Sequence, residues 1–514
     1  MPRAQQTTSA KSVQQVPDEL PQPNVFSTHS DLYSSQADFL SHDVDEPVGK
    51  DVEGKDNPDQ PPSDKLPLEA RQKGTWWSMA AGVFLANMGV ASLTFPYAMA
   101  SMTWVGGIIA GGIAYFASFY TLYLMLDLHV VGDRRFNRYR ELGEFAFGRV
   151  GRFLVAVVQY SMAVGINIAY TLLAGQAAKA FYDELCSYGS SCPPYGQSAW
   201  ITTIGAIVLL LCFMPDMSSL NLTSALGTVT TIGYTAVIVG ASIAAGLKQE
   251  KATGHHAEWN LDGRSHVAGI LGAWAALGTL IYPYGTHIVA LEMQAQIPEP
   301  SFRPAFVGSA LGYGLAGVCL FITGFAGYWA FGADTSQTIL FGSTVRTKAA
   351  MSGSIPGPRW VLALGDILVV ASLLLQFQLF MMPTFDAIEG ALRRHVKKVN
   401  AWMRYGCRIG FVVGITIVAI SLPFFGDIIA LIGALSAVPD AYIVPAWTYQ
   451  RVRKPPKSDW RFWANWAIIY TGFLVMVLAA NKTLANGKSR LQEQVAQLER
   501  RTLTGSHSAL LTAH

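Results

Sequence analysis

The stretch "FLANMGVASLTFPYA", Phe84 to Ala98, sits inside an apolar run over residues 76–101 that is long enough to cross a membrane. Yet its middle holds Asn87, Gly89, Ser92 and Pro96. Backbone inside a bilayer must be satisfied internally, so non-helical chain survives there only where it is buried in protein or lines a cavity. Gly89 is a weak helix former, Ser92 and Thr94 offer local hydrogen bonds, and Pro96 lacks an N–H and frees a carbonyl about one turn back. Together they predict an unwound stretch near Asn87–Ser92. A kinked packing helix would carry the same residues, so this stretch alone leaves both readings open.

A second stretch repeats the pattern. "LGTLIYPYGTHIVALE", residues 277–292, places Pro283 and Gly285 in mid-span, with Tyr282, Tyr284, Thr286 and His287 around them. The two interrupted spans are the first and the sixth. That spacing is what two inverted five-helix repeats produce, with broken helices at matching positions around a midplane site. Half-helix N-termini suit a carboxylate, and freed carbonyls suit an ammonium group. The expected substrate site is therefore Asn87, Met88, Gly89, Val90, Ala91 and Ser92 with Tyr282, Tyr284 and Gly285, joined by Asn167 of the third span.

Composition agrees with an all-α polytopic membrane protein. Of 514 residues, 51% are hydrophobic and 14% charged, against about 25% charged in a soluble domain. Eleven apolar segments run near 76–101, 104–128, 153–180, 198–214, 219–246, 266–291, 305–332, 359–388, 406–423, 427–449 and 462–480. Residues 1–74 carry 13 acidic against 7 basic residues and little that could be buried, and read as a disordered cytosolic tail. Residues 75–480 are expected to form an eleven-helix membrane domain, and 481–514 a short extracytosolic tail. Six Arg in "GDRRFNRYRELGEFAFGRVGR" (132–152), five basic residues in "RRHVKKVNAWMR" (393–404) and five in "RVRKPPKSDWR" (451–461) mark the cytosolic loops. Cys186 and Cys192 then face outside, where a disulfide can persist.

Other intramembrane polar residues are weighed in the same way. Tyr160 and Tyr170 could close over a substrate but read first as aromatic packing, and Gln376 and Gln378 share that ambiguity. Glu292 reads as a gate or loop contact, and Asp386 and Glu389 as a solvated ion-pair region. Asp440, in "ALSAVPDAYIVPAW" (434–447), and His287 are the two proton-coupling candidates. A carboxyl at that depth costs about 2.5–3.5 kcal/mol on insertion scales, so such residues face a cavity or a partner. No metal-ligand spacing, Walker loop, HExxH or nucleophile elbow occurs, so an enzyme is not expected.

At these residues the chain resembles the amino acid/auxin permease family, above all its plant-type lysine/histidine-transporter-like and amino acid permease branches. The resemblance spans about residues 72–480 and rests on "SLTFPYAMASMTWVGGI" (92–108), "RYRELGEFAFG" (138–148), "THIVALEMQAQIP" (286–298), "FQLFMMPTFDAIE" (377–389) and "LPFFGDIIALIGAL" (422–435). It implies a LeuT-type fold, a 5+5 inverted repeat plus one extra helix, and secondary active, proton-coupled symport of amino acids by alternating access. An amino-acid sensor using the same site without net flux is the alternative. No cofactor is implied beyond protons as coupling ion. The partners are the amino acid and the lipid bilayer, with no nucleic acid, and the oligomeric state is left open. The plasma membrane is the first expected location, a vacuolar or other endomembrane the second. Three departures stand out: the family's Gly-x-Gly in span 1 is Gly89-Val90-Ala91 here, acidic positions of span 3 are Ala163 and Asn167, and Asp440 occupies a usually neutral position.

Overall fold

The computed structural model describes residues 74–186, 193, 195–213, 220–253, 274, 276–332, 335, 338–339, 359–396, 400–421 and 425–481. The expected N-terminal tail up to residue 73, the C-terminal tail from 482 and Cys192 lie outside the described residues. Helices dominate. In chain order they are α1 (Trp76–Met88), α2 (Ala91–Asp127), α3 (Tyr139–Cys186), α4 (Gln197–Leu211), α5 (Leu220–Thr253), α6 (His287–Gln294), α7 (Phe302–Phe331), α8 (Arg359–His395), α9 (Ala401–Ser421), α10 (Phe425–Ile432), α11 (Val444–Arg453) and α12 (Trp460–Asn481). One antiparallel hairpin, β1 (Val130–Val131) with β2 (Arg134–Arg135), follows α2.

Among the described residues, eight helical segments have the length and apolarity to cross a membrane, and α4 is a shorter apolar helix. Two long helices are compound. α2 turns at Thr103 (φ 64°), which divides the expected spans 1 and 2, and α3 turns at Gly148 (φ 69°). The first inner loop, expected over 129–152, is thus mostly ordered: a hairpin and then a helical stretch from Tyr139.

The surface is arranged for lipid. On α2, Val105, Ile109, Ile113 and Phe116 are exposed while Gly107, Gly111, Ala114, Ser118 and Thr121 are buried. In water this distribution would forfeit the main driving force of folding. In hydrocarbon it is the economical one, because small and polar residues let helices approach and bond. The helical contacts sort the fold into two groups. α1, α2, α6 and α7 pack together on one side, and α3, α4, α8 and α9 on the other, with α5 bridging them. Of the most apolar 18 residues of each segment, 83% are buried in Ile429–Arg453 but only 22% in Trp402–Ser421 and 22% in Trp460–Asn481, so span 10 is central and spans 9 and 11 are peripheral.

Span 10 departs from a plain helix. Between α10 and α11 run two π-helical turns, Gly433–Ala437 and Pro439–Ile443. Pro439 and Pro445 remove N–H donors here, and widened turns of this kind concentrate at functional sites. Gly433 rests on the carbonyl of Gly278, and Gly278 on that of Ala430, so a side chain at either glycine would part the backbones of spans 10 and 6.

Candidate functional site

The first break is sharper than the sequence suggests. α1 continues through Asn87 and Met88, and α2 begins at Ala91, so only Gly89 and Val90 leave the helix. Pro96 does not open the chain. It is the sixth residue of α2, and the helix runs on through it. Gly89 has φ 20° and ψ −130°, a conformation that side chains disfavour. A Cβ there would also strike the Tyr170 hydroxyl and stand 2.6 Å from Gln376 Oε1.

Neighbouring spans hold the break in place. Tyr234 of α5 donates its hydroxyl to the Gly89 carbonyl at 2.8 Å, and Ser92 Oγ donates to the Tyr234 hydroxyl at 2.9 Å. Asn87 Nδ2 bonds back to the Val83 carbonyl at 2.8 Å, which leaves its buried Oδ1 without a partner. No side chain caps the start of α2. Its first N–H groups form an uncompensated positive end.

The second break lies opposite. Residues 276–281 are helical, Tyr282–Tyr284 form a 3-10 turn, Gly285 and Thr286 turn the chain, and α6 restarts at His287. Gly285 carries no Cβ because the Met162 methyl occupies that place. The fully buried Tyr282 hydroxyl has no partner.

These pieces enclose one cleft of about 220 Å³, open mouth included. Residues 86–91 form one wall, Tyr282, Pro283 and Gly285 a second, and Met162, Ile166 and Tyr170 of α3 the third. The cleft therefore lies between the two helix groups, and no lining residue is charged. Asn87, Met88, Gly89, Val90, Ala91, Tyr282 and Gly285 are brought together there as expected. Ser92, Asn167 and Tyr284 are not among the lining residues. Ser92 acts behind the wall through Tyr234. Asn167 bonds back to the Ala163 carbonyl at 2.7 Å, and its neighbours Met162, Ile166 and Tyr170 take the lining face. Tyr284 turns into an aromatic cluster, with Tyr115 at 6.0 Å and Tyr313 at 6.2 Å between ring centroids. A turn of 3-10 helix changes side-chain direction from one residue to the next, so adjacency to Tyr282 did not bring Tyr284 to the cleft.

The two proton-coupling candidates lie outside the lining as well. His287 is fully buried, with Nδ1 3.2 Å from the Tyr284 carbonyl and Nε2 3.2 Å from Thr121 Oγ1. Both ring nitrogens are engaged. Thr121 in turn donates to the Ala441 carbonyl, beside Asp440. Asp440 is also fully buried, but neither carboxyl oxygen has a hydrogen-bond partner, and the Ile288 backbone at the start of α6 only faces it. Cys186 ends α3 and is disulfide-bonded, while Cys212, Cys319 and Cys407 are free. Sequence reasoning gave no role to Tyr234. Its position in an apolar run, with no motif around it, carried no signal.

Comparison with known proteins gives a family. The description "Transmembrane amino acid transporter protein" matches residues 72–484. "Lysine histidine transporter-like 1" of Arabidopsis thaliana is 28% identical over 427 residues, covering 81% of this chain and 89% of that protein. "GABA transporter 1" of the same plant is 28% identical over 434 residues, covering 82% and 93%. Among solved structures, the crystal structure of MhsT in complex with L-phenylalanine aligns at 13% identity and a TM-score of 0.46, over 80% of this chain and 100% of that one. Matched over most of its length, the chain belongs to the transmembrane amino acid transporter family, a family of transporters rather than enzymes.

Proposed function

We propose that this protein is a proton-coupled symporter of neutral amino acids, working by alternating access in an eleven-span, 5+5 inverted-repeat arrangement at the plasma membrane. The observation that carries the reading is the charge-free cleft that both helix breaks face, closed on its far side by α3 of the other helix group. The uncapped start of α2 offers backbone N–H groups to a carboxylate. The ammonium group finds acceptors in the unpaired Asn87 Oδ1 and in the last carbonyls of α1, which lack intrahelical partners. Met88, Val90, Met162 and Ile166 leave an apolar space for the side chain. A cationic side chain would enter it without a carboxylate to meet, which is costly at this depth. The names of the relatives, which include lysine, histidine and GABA transporters, support amino-acid transport in general.

Asp440 is the proposed proton carrier. It is a buried carboxyl with both oxygens unpaired, next to the restart of span 6. His287, with both nitrogens bonded, is the structural partner of Thr121. The test is an uptake screen of the proteinogenic amino acids in a permease-deficient cell at two external pH values. Saturable uptake of neutral amino acids, faster at the lower pH, is expected. Binding without net uptake would mean a sensor, and uptake restricted to lysine and histidine would overturn the substrate class.

A further inference from the structure

A second polar cavity of about 270 Å³ lies apart from the cleft, lined by Arg138, Arg140, Gln159, Tyr160, Glu292 and Asp386. Arg138 and Arg140 belong to the Arg-rich stretch 132–152, which the charge bias assigns to the cytosolic side. The same two elements wall both spaces. On α3, Gln159 lines the cavity and Ile166 the cleft. On the span 6 side, Glu292 lines the cavity and Gly285 the cleft. Seven residues separate each pair, about 10 Å at helical rise. Met162, packed against Gly285, lies one turn from Gln159, between the two spaces.

The cavity holds unspent hydrogen-bonding capacity of both signs. Arg140 is buried and gives Nη1 to the Tyr160 hydroxyl at 3.1 Å, but its Nε has no partner. Arg138 Nη2 is likewise buried and unpartnered. Gln159 Nε2 bridges the Ile288 carbonyl at 2.7 Å and Glu292 Oε1 at 3.0 Å, which leaves Glu292 Oε2 without a donor. Among the described residues neither guanidinium pairs with Glu292 or Asp386. Buried polar groups ordinarily find partners, and charged ones left alone are costly. Two free guanidinium donors call for a carboxylate, and one free carboxylate oxygen calls for an ammonium group. Two arginines against two acids also leave the cavity without formal net charge, so a zwitterion keeps that balance where a lone anion or cation would upset it.

We propose that this cavity is a second amino-acid site, an exit station that takes the α-carboxylate on Arg138 and Arg140 and the α-ammonium on Glu292 as the substrate leaves for the cytosol. The proposal rests on the transport reading given above. Its test uses the full chain carrying Cys407→Ser, which removes the exposed free thiol, and Ala387→Cys in the cavity wall. A membrane-impermeant thiosulfonate is applied to inside-out vesicles, and the parent with Ala387 intact sets the background.

An equimolar mixture of neutral L-amino acids should slow labelling, and mixtures of the matching deaminated acids or decarboxylated amines should not. The protection should persist in Gly89→Val, which closes the cleft. The concentration giving half-protection should rise about tenfold in Arg140→Gln, the loss of one charge-assisted hydrogen bond, and less in Arg140→Lys. Normal uptake with no protection overturns the second site and leaves transport standing. Protection that disappears with Gly89→Val also overturns it, because the effect then comes from the cleft. Protection by the acids alone replaces it with an anion site. Loss of both uptake and protection overturns both readings.

Discussion

The Tyr234 hydroxyl donates to the Gly89 carbonyl at 2.8 Å. Span 5 therefore holds the break of span 1 open, and Ser92 completes the link at 2.9 Å. The carbonyl is already engaged by protein, so the break is built into the fold and does not wait for substrate. Tyr234→Phe leaves this buried acceptor with only the long 3.5 Å contact from Ser92. The expected cost is about 1–3 kcal/mol. A thermal-shift measurement on purified protein should show a lower midpoint, and uptake per molecule at the surface should fall. An unchanged midpoint would mean that the hydrogen bond contributes nothing to the break.

Ala91 lines the cleft with 1% exposure. Ala91→Gly removes one methyl from the wall without touching the start of α2, whose N-terminal turn tolerates glycine. A methyl-sized change in an apolar pocket shifts discrimination about tenfold or more. The ratio of uptake of larger to smaller neutral amino acids should rise by that order. A constant ratio would remove Ala91 from the pocket wall.

Much of this was legible in the sequence, for definite reasons. Apolar run length located the apolar helices. The mid-span Gly89, Pro283 and Gly285 located both breaks, because backbone in a bilayer has few ways to be irregular. The faces were less legible. Hydropathy treats a buried span as apolar all round, so it could not tell that Tyr170 and Ile166 line the cleft while Asn167 does not. Pro96 suggested a break reaching to Ser92, whereas the helix already restarts at Ala91 and runs on through the proline. Arg138 and Arg140 were read only as topology markers, since nothing in the chain tells that a loop arginine folds back against Glu292. The π-turns of span 10 were half visible, through Pro439 and Pro445.

The proton-carrier proposal separates two buried residues. Asp440→Asn keeps size and hydrogen-bonding geometry but cannot gain or lose the proton. It should exchange amino acid across the membrane yet fail to accumulate it against a gradient. His287→Gln should accumulate substrate, with lower stability from the lost Thr121 contact. Accumulation by Asp440→Asn at the level of the parent would contradict the assignment.

A pH effect on stability is expected at the loop after span 2. His129 is buried, with Nδ1 2.9 Å from the Phe136 carbonyl and Nε2 accepting from Arg135 Nε at 3.1 Å. Arg135 reaches on to the Ala295 and Ile297 carbonyls at 3.0 and 3.3 Å, and Glu299 lies 3.4 Å from it. The cluster ties the hairpin to the chain that follows α6. Burial, and then the Arg135 charge, lower the His129 pKa to about 4 against an ordinary 6.5, while Glu299 opposes the shift. The unfolded chain thus takes up the proton first. The contribution is complete above pH 6.5 and is lost as pH falls through 4, up to about 3 kcal/mol. Thermal midpoints measured across that window should fall in the parent. His129→Gln should start lower and fall less, and parallel curves would contradict the account.

The central claim is net transport through the cleft between the two breaks. Its most direct test is uptake of labelled neutral L-amino acids by proteoliposomes holding the purified chain, with and without an inward proton gradient, for the parent and Gly89→Val. The parent should concentrate at least one neutral amino acid when the gradient is imposed and only equilibrate it when the gradient is absent. Gly89→Val should do neither at equal incorporation, because the side chain would strike Tyr170 and crowd Gln376. Binding without flux in the parent, or equal accumulation by Gly89→Val, would contradict the claim.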